Sequence, residues 1–536
     1  MILPRVKYEN NNGEKCVLPC EIIFSSDDFS KKISNLIPLF IEGVKVAEGD
    51  NPFISFKKLD DLKNEEYKIL TGEKIEIFYK DYLSIRNAVA TLSGMLDNNR
   101  SFCTGEISDY PECSYRGLMI DLARGVEDIS TLKADLLLAA KSKMNYIHLH
   151  FFDSPGSAIK INSFPKEAYL PGAYSVEEVK ELMAFCDIIG LEVIPEFDLP
   201  AHSGKMIECF PEIACITNNP NQTSWTVCAG SERLFEIYEA VISELAAIFN
   251  SKYFHVGGDE IEFADRPELG RLCHWDECER CKSYMEANGI KDRQELWYDL
   301  LLKVYSMVKK AGKTMVMWSD QLDCERDIPI PRDVIMQFWR VALPGRGPYK
   351  GCSMNAQLKA GFKIINSDFP NTYADLEQYI NPSKLKDWSP YKEPGSDEAL
   401  KENIMGTELC AWEYGNKAKY SHYAYSLPSA IVLMADKLWN LDSLPYGEEY
   451  SAALTKAVLG AGTPEGFDVF KCFGDTLPPR SDEKIYKEKI TISDEEMSKA
   501  LDILANMKES PRAAVYRKTI IDGLLQNGFE KIEGLD

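Results

Sequence analysis

The apolar positions change period along the chain. Almost wholly apolar runs at 115–122, 146–153, 191–198, 253–259, 314–319, 334–339, 363–368 and 405–411 read as short strands buried on both faces. Between most of them the apolar residues recur at helical spacing, over 130–143, 176–189, 232–249, 292–311, 354–361 and 425–439. Eight strands alternating with helices predict an α/β fold whose main unit, residues 111–445, is a parallel (β/α)8 TIM barrel. Ahead of it, 1–110 reads as a small α/β domain without evident chemistry. Its strands are Tyr67 to Leu70 and Lys74 to Tyr79, followed by a helix from Tyr82 to Leu96 that places Ile85, Ala88, Val89, Leu92 and Met95 on one face. Behind it, 446–536 reads as a helical C-terminal region, with helices at Tyr450 to Leu459, Asp494 to Met507 and Ala513 to Leu525 around a Pro-rich, charged linker near Pro478.

The fourth barrel strand carries the most pointed sequence, Tyr253-Phe254-His255-Val256-Gly257-Gly258-Asp259-Glu260. Two glycines let the backbone bend sharply or approach a ligand, and they deliver two adjacent carboxylates to the carboxyl end of a strand. In parallel α/β folds ligands bind at that end. The long segments 199–231 and 261–291 read as loops on the same face.

Composition narrows the partners. With 61 basic and 84 acidic residues the net charge is −23, which argues against nucleic acid or an anionic membrane as the main partner. No apolar stretch reaches the roughly 18–20 residues of a membrane span, Ile33 to Val44 coming nearest. The first residues lack the pattern of a signal peptide, so the expected location is cytoplasmic. The 15 cysteines then read as reduced, mostly buried thiols rather than a disulfide framework.

Polar and aromatic residues gather at the predicted strand ends. The first strand holds Arg116 and is followed by Arg124; the second ends at Asp153; the third ends at Asp198, with His202 beyond. Asp259 and Glu260 follow the fourth, Trp318 closes the fifth and Trp339 the sixth. The seventh leads to Tyr373 and Asp375, and the eighth to Trp412, Glu413 and Tyr414. Sugar rings present apolar C–H faces inside a fence of hydroxyls, and aromatic walls with carboxylates and an Arg match both. A carbohydrate-active barrel is the reading.

The blocks Tyr115-Arg-Gly-Leu-Met-Ile-Asp-Leu-Ala-Arg124, His148-Leu-His150, Pro195-Glu-Phe-Asp198 through His202, and His255-Val-Gly-Gly-Asp-Glu260 occur in that order. Together they resemble the family 20 glycoside hydrolases, the β-N-acetylhexosaminidases, from the small first domain through the barrel. The resemblance implies exo-acting, retaining, substrate-assisted hydrolysis of terminal β-linked GlcNAc or GalNAc, an exception to the two-carboxylate scheme. Glu260 would be the general acid and then the base. Asp259 would hold the N–H of the substrate's 2-acetamido group, whose carbonyl oxygen attacks C1 to give an oxazolinium ion. Tyr373 would hydrogen-bond that oxygen, and Trp318, Trp339 and Trp412 would wall the acetamido methyl and the sugar face. Arg124 and Asp153 would grip the 3- and 4-hydroxyls, Asp375 would contact the 4- or 6-hydroxyl, and His202 would orient neighbours beside the acid.

Two stretches depart from the family pattern. After Asp153 the chain runs Ser154-Pro155-Gly156-Ser157 where the family usually has Gln-Gly-Trp after the aspartate. After the eighth strand Trp412-Glu413-Tyr414 replaces Trp-Gly-Glu, so Tyr414 stands where the acid would and the 6-position contact changes. A sister activity, releasing a disaccharide or a 6-substituted GlcNAc, therefore stays open. The rival of another class is a non-catalytic glycan-binding barrel, which would be expected to lack Asp259, Glu260 or Tyr373. A metal-dependent hydrolase built on His148 and His150 would need more histidines at strand ends than six in the chain provide. The stretch Cys273-His274-Trp-Asp-Glu-Cys278-Glu-Arg-Cys281 is a candidate structural zinc site through Cys273, Cys278 and Cys281, lacking a second paired unit. No cofactor is expected. The expected partner is an oligosaccharide or glycoconjugate ending in N-acetylhexosamine, with homodimerisation left open.

Overall fold

The structure, a computed structural model, describes residues 1–261, 271–340, 351–369, 371–374, 380, 385–393, 402–412, 421–445 and 448–460. The helices expected at 494–507 and 513–525, and residues Asp375, Glu413 and Tyr414, lie outside these.

Eight parallel strands close the barrel: β8 (Tyr115–Asp121), β9 (Tyr146–His150), β13 (Glu192–Leu199), β14 (Tyr253–Gly257), β15 (Thr314–Trp318), β16 (Ile335–Phe338), β17 (Lys363–Asn366) and β19 (Ile404–Ala411). Each pairs with the next, and β19 returns to β8 with Gly406 opposite Tyr115. The seventh position is made in two pieces. Strand β17 pairs with β19 up to Asn366–Thr407; the chain then leaves the sheet and re-enters as β18 (Tyr373–Ala374), where Tyr373 faces Cys410. That detour places Tyr373 at the rim.

The helices form where pattern and end signals agree. Helix α4 (Val176–Ile189) starts on a reciprocal capping box between Ser175 and Glu178 and stops at Gly190, whose φ of +70° an L side chain rarely adopts. Helix α8 (Arg293–Lys310) is capped by Asp292, whose carboxylate accepts from the amides of Gln294 and Glu295. Three features escaped the periodicity. Strands β10 (Phe152–Asp153), β11 (Gly156–Lys160) and β12 (Tyr169–Ser175) form a small sheet after the second barrel strand. Helix α7 (Glu279–Asn288) lies within the loop expected over 261–291. The N-terminal unit is a sheet of seven strands rather than the two predicted, in the spatial order Tyr8–Val17, Ser101–Asp109, Tyr67–Thr71, Ile75–Tyr79, Ile54–Lys58, Glu21–Ser26 and Lys45–Glu48. Its ends, β1 (Tyr8–Val17) and β3 (Lys45–Glu48), are largely exposed, polar strands with no apolar run to betray them. The stretch nearest to a membrane span is a helix, Ser30–Phe40, that buries Ile33, Leu36, Ile37 and Phe40.

A polar seam joins the N-terminal sheet to the amino end of the barrel. Arg116 points down to this seam, away from the rim. Its guanidinium bonds Glu65 and the carbonyls of Cys113 (2.6 Å) and Lys143 (2.9 Å). Lys143 in turn meets Asp109 at 2.7 Å and Tyr67 at 2.9 Å, and Trp439 donates to the same Asp109 at 2.9 Å. Arg116, Lys143 and Asp109 are almost wholly buried.

Cys324 and Cys352 depart from the reduced-thiol expectation: they are disulfide-bonded, with a Cα–Cα distance of 5.4 Å. Cys16, Cys20, Cys103, Cys186, Cys209, Cys215, Cys228, Cys278 and Cys281 are not in disulfides.

Candidate active site

The barrel interior is built in layers. Alternation along a strand points every second side chain inward, so His148 and His150 on β9, and Glu196 and Asp198 on β13, face the same lumen. The lowest layer is apolar and aromatic: Tyr115 stacks on Tyr146 at 4.3 Å, with Tyr253, Ile194, Val316 and Ile335 around them. The middle layer is charged, where branched aliphatic residues are usual. Glu196 is its hub: Trp318 Nε1 donates to it at 2.8 Å, His150 Nδ1 hydrogen-bonds it, and His255 Nδ1 (2.9 Å), which accepts from the Gly257 amide, and His148 Nε2 (3.1 Å) lie close by. His148 Nδ1 reaches Glu408 at 2.8 Å, and Glu408 also receives Tyr115 and Gln337. The top layer is the aromatic rim of Trp318, Tyr373, Trp339 and Trp412.

Charge balance explains why so many ionisable groups can share a buried space. Burial works against every charge here, but His150 and His148 come so close to Glu196 that its carboxyl is held well below the ordinary range. Burial likewise opposes protonation of His148, yet Glu408 and Glu196 prevail and lift it to about 9; His150 is also raised, whereas burial keeps His255 low. Two carboxylates thus face two imidazoliums and one neutral ring. The folded state holds the His148 proton more tightly than the unfolded chain, where the imidazole titrates near about 6.5. Its stabilising share is complete below that pH and is lost as pH rises through about 9. Urea midpoints measured between about pH 6 and pH 10 should fall across that window. Glu408→Gln should flatten the fall, and an unchanged slope would refute this account.

Above the charged layer the network climbs to the carboxylate pair. His150 Nε2 meets Asp153 Oδ2 at 3.0 Å, and the same oxygen receives His202 Nδ1 at 3.0 Å and Arg124 Nη2 at 2.5 Å. Arg124 also bonds Asp121 at 3.0 Å and lies over the Trp412 ring at 5.0 Å. Arg124 and Asp153, expected to work as a clamp, are therefore in contact. His202 has a left-handed backbone (φ +53°), and its Nε2 stands 3.6 Å from Asp259 and 3.5 Å from Glu260. Asp198 lies below, with Oδ2 3.9 Å from His202 Nδ1.

The turn carrying the pair is left-handed at Gly257 (φ +68°), Gly258 (+102°) and Glu260 (+46°). Glu260 is pinned by its backbone: its amide donates to Asp320 at 3.1 Å and its carbonyl accepts from Trp225 Nε1 at 2.7 Å. Its carboxylate is ion-paired with Arg271. Burial would raise Glu260, but His202, Arg271 and Arg340 outweigh it and hold the group down at about 2. Asp259 goes the other way. Burial, with Asp320 and Glu260 adding to it against His202, pushes Asp259 up to about 7. Its Oδ1 is buried and has no hydrogen-bond partner among the described residues.

The aromatic residues line this spot unevenly. Trp318 is fully buried and forms the floor, 5.9 Å from Trp412. Trp339 stacks on Tyr373 at 6.2 Å, and Tyr373 lies 6.5 Å from Trp412. Trp225, Arg271, Asp320 and Glu196 belong to the site and were not singled out from sequence. Strand alternation from Asp198 would have found Glu196; Trp225 and Arg271 sit in long loops that carry no periodicity. Cys273, put forward for zinc, is replaced. The thiols that meet are Cys215, Cys228, Cys278 and Cys281, while His274 is engaged by Glu277 and the Thr223 amide.

Two adjacent carboxyls, one held low and its neighbour pushed up, under an aromatic rim at the mouth of a closed barrel, are an arrangement suited to glycoside hydrolysis. The chain belongs to glycosyl hydrolase family 20, whose catalytic-domain model matches residues 113–441. A β-hexosaminidase of Akkermansia muciniphila is 31% identical over 295 residues, covering 51% of this chain and 56% of that protein. One of Porphyromonas gingivalis is 28% identical over 236 residues, covering 41% of this chain and 29% of that protein. The chain thus spans about half or less of these relatives. Among solved structures, a β-N-acetylhexosaminidase from Bacteroides fragilis superposes with a TM-score of 0.72 at 22% identity, over 85% of this chain and 94% of that one. An exo-β-N-acetylglucosaminidase from Vibrio harveyi, in complex with N-acetylglucosamine, gives 0.72 at 20% identity, over 85% and 76%. These two likenesses are of fold.

Proposed function

We propose that the chain is an exo-acting, retaining β-N-acetylhexosaminidase that removes terminal β-linked GlcNAc or GalNAc by substrate-assisted catalysis. The observation that carries this reading is the unpartnered Oδ1 of Asp259, buried beside Glu260. A buried acceptor left unpaired is costly, and a substrate amide N–H would satisfy it. With the N–H held there, the acetamido oxygen is aimed at C1, and its tethering to the reacting sugar supplies the proximity a protein nucleophile otherwise would.

The acetamido carbonyl oxygen forms a bond to C1 as the glycosidic C1–O bond breaks, and Glu260 gives its proton to the leaving oxygen. The positive charge stays on the oxazolinium ring, whose N–H faces Asp259. Water then attacks C1, passing a proton to Glu260, and the ring opens to the product with net retention. For the first step Glu260 needs a proton, and Asp259, pushed up to about 7, is the neighbouring carboxyl able to carry one. Donation by the substrate N–H favours the ionised form of Asp259. The proton then moves to Glu260, with His202 Nε2 standing between the two carboxyls. That transfer requires Arg271 to loosen from Glu260 as substrate enters. Arg124 and Asp153 grip the 3- and 4-hydroxyls of the terminal sugar, and Tyr373 donates to the acetamido oxygen.

The test compares 4-nitrophenyl β-N-acetylglucosaminide, β-N-acetylgalactosaminide and β-glucoside. The acetamido sugars should be cleaved and the glucoside not. Asp259→Asn should lower kcat on the acetamido sugars by about 10²–10³-fold, the scale of losing one preorganised group aimed at developing charge. Comparable turnover of the glucoside would sink the mechanism.

A further inference from the structure

The four thiols of Cys215, Cys228, Cys278 and Cys281 come from two loops that are far apart in sequence. Cys215 and Cys228 lie in the segment after β13; Cys278 caps α7 and Cys281 sits in its first turn, after β14. All four are buried, and their sulfurs lie within 4.8 Å of one another. Cys228 Sγ is 3.7 Å from Cys278 Sγ and 3.5 Å from Cys281 Sγ. A disulfide needs sulfurs at about 2.05 Å. Tetrahedral coordination with Zn–S bonds of about 2.3 Å puts the sulfurs about 3.8 Å apart. The spacing is that of a tetrathiolate cage. The paired unit missing from the linear sequence is supplied by the neighbouring loop.

We propose that these four cysteines bind one structural Zn²⁺ and that the ion fastens the two loops on either side of Glu260. The loops already approach closely here: a Cβ on Gly230 would fall 2.5 Å from the Arg280 carbonyl oxygen. Trp275 Nε1 donates to Val227 at 2.7 Å, and Arg280 donates to Glu212 at 2.7 Å. Three residues before Cys228 is Trp225, which bonds the Glu260 carbonyl; seven before Cys278 is Arg271, which pairs with the Glu260 carboxylate. The indole lies under both neighbours, 4.3 Å from the His202 ring and 4.7 Å from the Arg271 guanidinium. The ion does no chemistry. It holds the tryptophan and arginine that set the position of the carboxylate. This last consequence rests on Glu260 being the acid, whereas the presence of zinc does not.

The full chain, expressed in zinc-containing medium and purified without chelator, should carry about one zinc per chain by elemental analysis. Less than about 0.2 zinc per chain, or iron in its place, overturns the assignment. Cobalt exchanged into the site should show thiolate-to-cobalt charge transfer in the near ultraviolet and intense tetrahedral d–d bands in the red; octahedral, weak bands overturn it. Cys228→Ser and Cys281→Ser should each lose the metal, whereas Cys273→Ser should keep it. Should the variants fail to fold, the cobalt spectrum of the unaltered chain still decides. Chelation should then lower kcat at least about tenfold while far-ultraviolet circular dichroism keeps the barrel signal. Metal present without a kinetic effect would overturn the positioning of Glu260 and leave the zinc site standing.

Discussion

Glu260→Gln is expected to lower kcat by about 10²–10⁴-fold, and by more the worse the leaving group. The amide keeps the shape of the side chain and cannot deliver a proton. A 4-nitrophenolate departs with little help, because its conjugate acid is already strong; a sugar hydroxyl is expelled as an alkoxide unless it is protonated. A series of aryl β-N-acetylglucosaminides and a natural disaccharide should therefore show a steep dependence on leaving-group basicity in the variant and a shallow one in the parent. The oxazolinium needs a base for its hydrolysis, so the variant should also accumulate this intermediate on the fastest substrates, visible as a burst of nitrophenol. Equal losses across the series would remove Glu260 from the role of acid.

Gly257→Ala should be as damaging although the residue touches no substrate. A Cβ there would fall 1.8 Å from Asp198 Oδ1 and 2.8 Å from the Asp198 Cα. The backbone at φ +68° is also costly for any L side chain, by about 1–2 kcal/mol. The backbone of β13 cannot retreat, because Leu199 pairs with Gly257 across the sheet. Strain and overpacking together should cost roughly 2–5 kcal/mol in unfolding free energy. Activity should fall by about 10²-fold or more, as Asp198 is pushed toward His202 and Asp259. Gly258→Ala is the control. Its nearest neighbour, 3.2 Å away, is the terminal methyl of Met317, which can swing aside, so only the cost of its φ of +102° remains. A Gly257→Ala protein with parental melting temperature and kcat/KM would show that the close approach is unimportant.

The barrel was legible because buried parallel strands are apolar on both faces and their helices carry end signals. All eight strands lie within about three residues of their expected places. The grouping at the candidate site was legible wherever a residue sits at a strand's end, as at Asp153, Asp259, Glu260 and Trp318. Two kinds of residue hid. Glu196 and Glu408 are charges inside strands otherwise read as hydrophobic, and only the lumen shared by the eight barrel strands shows why they are tolerated. Trp225, Arg271, Cys215 and Cys228 come from loops, where spacing in sequence does not encode spacing in three dimensions. The zinc candidate shows the difference plainly. Linear proximity picked Cys273, and the fold substituted two cysteines from about 50 residues upstream.

The seam beneath the barrel makes the N-terminal sheet a cork rather than an ornament. Arg116 and Lys143 belong to the barrel, while Asp109 and Tyr67 belong to the sheet that covers it and Glu65 to the turn leading into that sheet's Tyr67–Thr71 strand. Stripping one partner from a buried ion pair costs about 3–5 kcal/mol, and trimming the sheet away would strip two pairs at once. A catalytic fragment beginning at the first barrel strand would thus be born with two stranded cations at its base. Minimal versions of this protein, or chimaeras that graft its barrel elsewhere, need to carry the sheet with them or replace both cations with apolar residues.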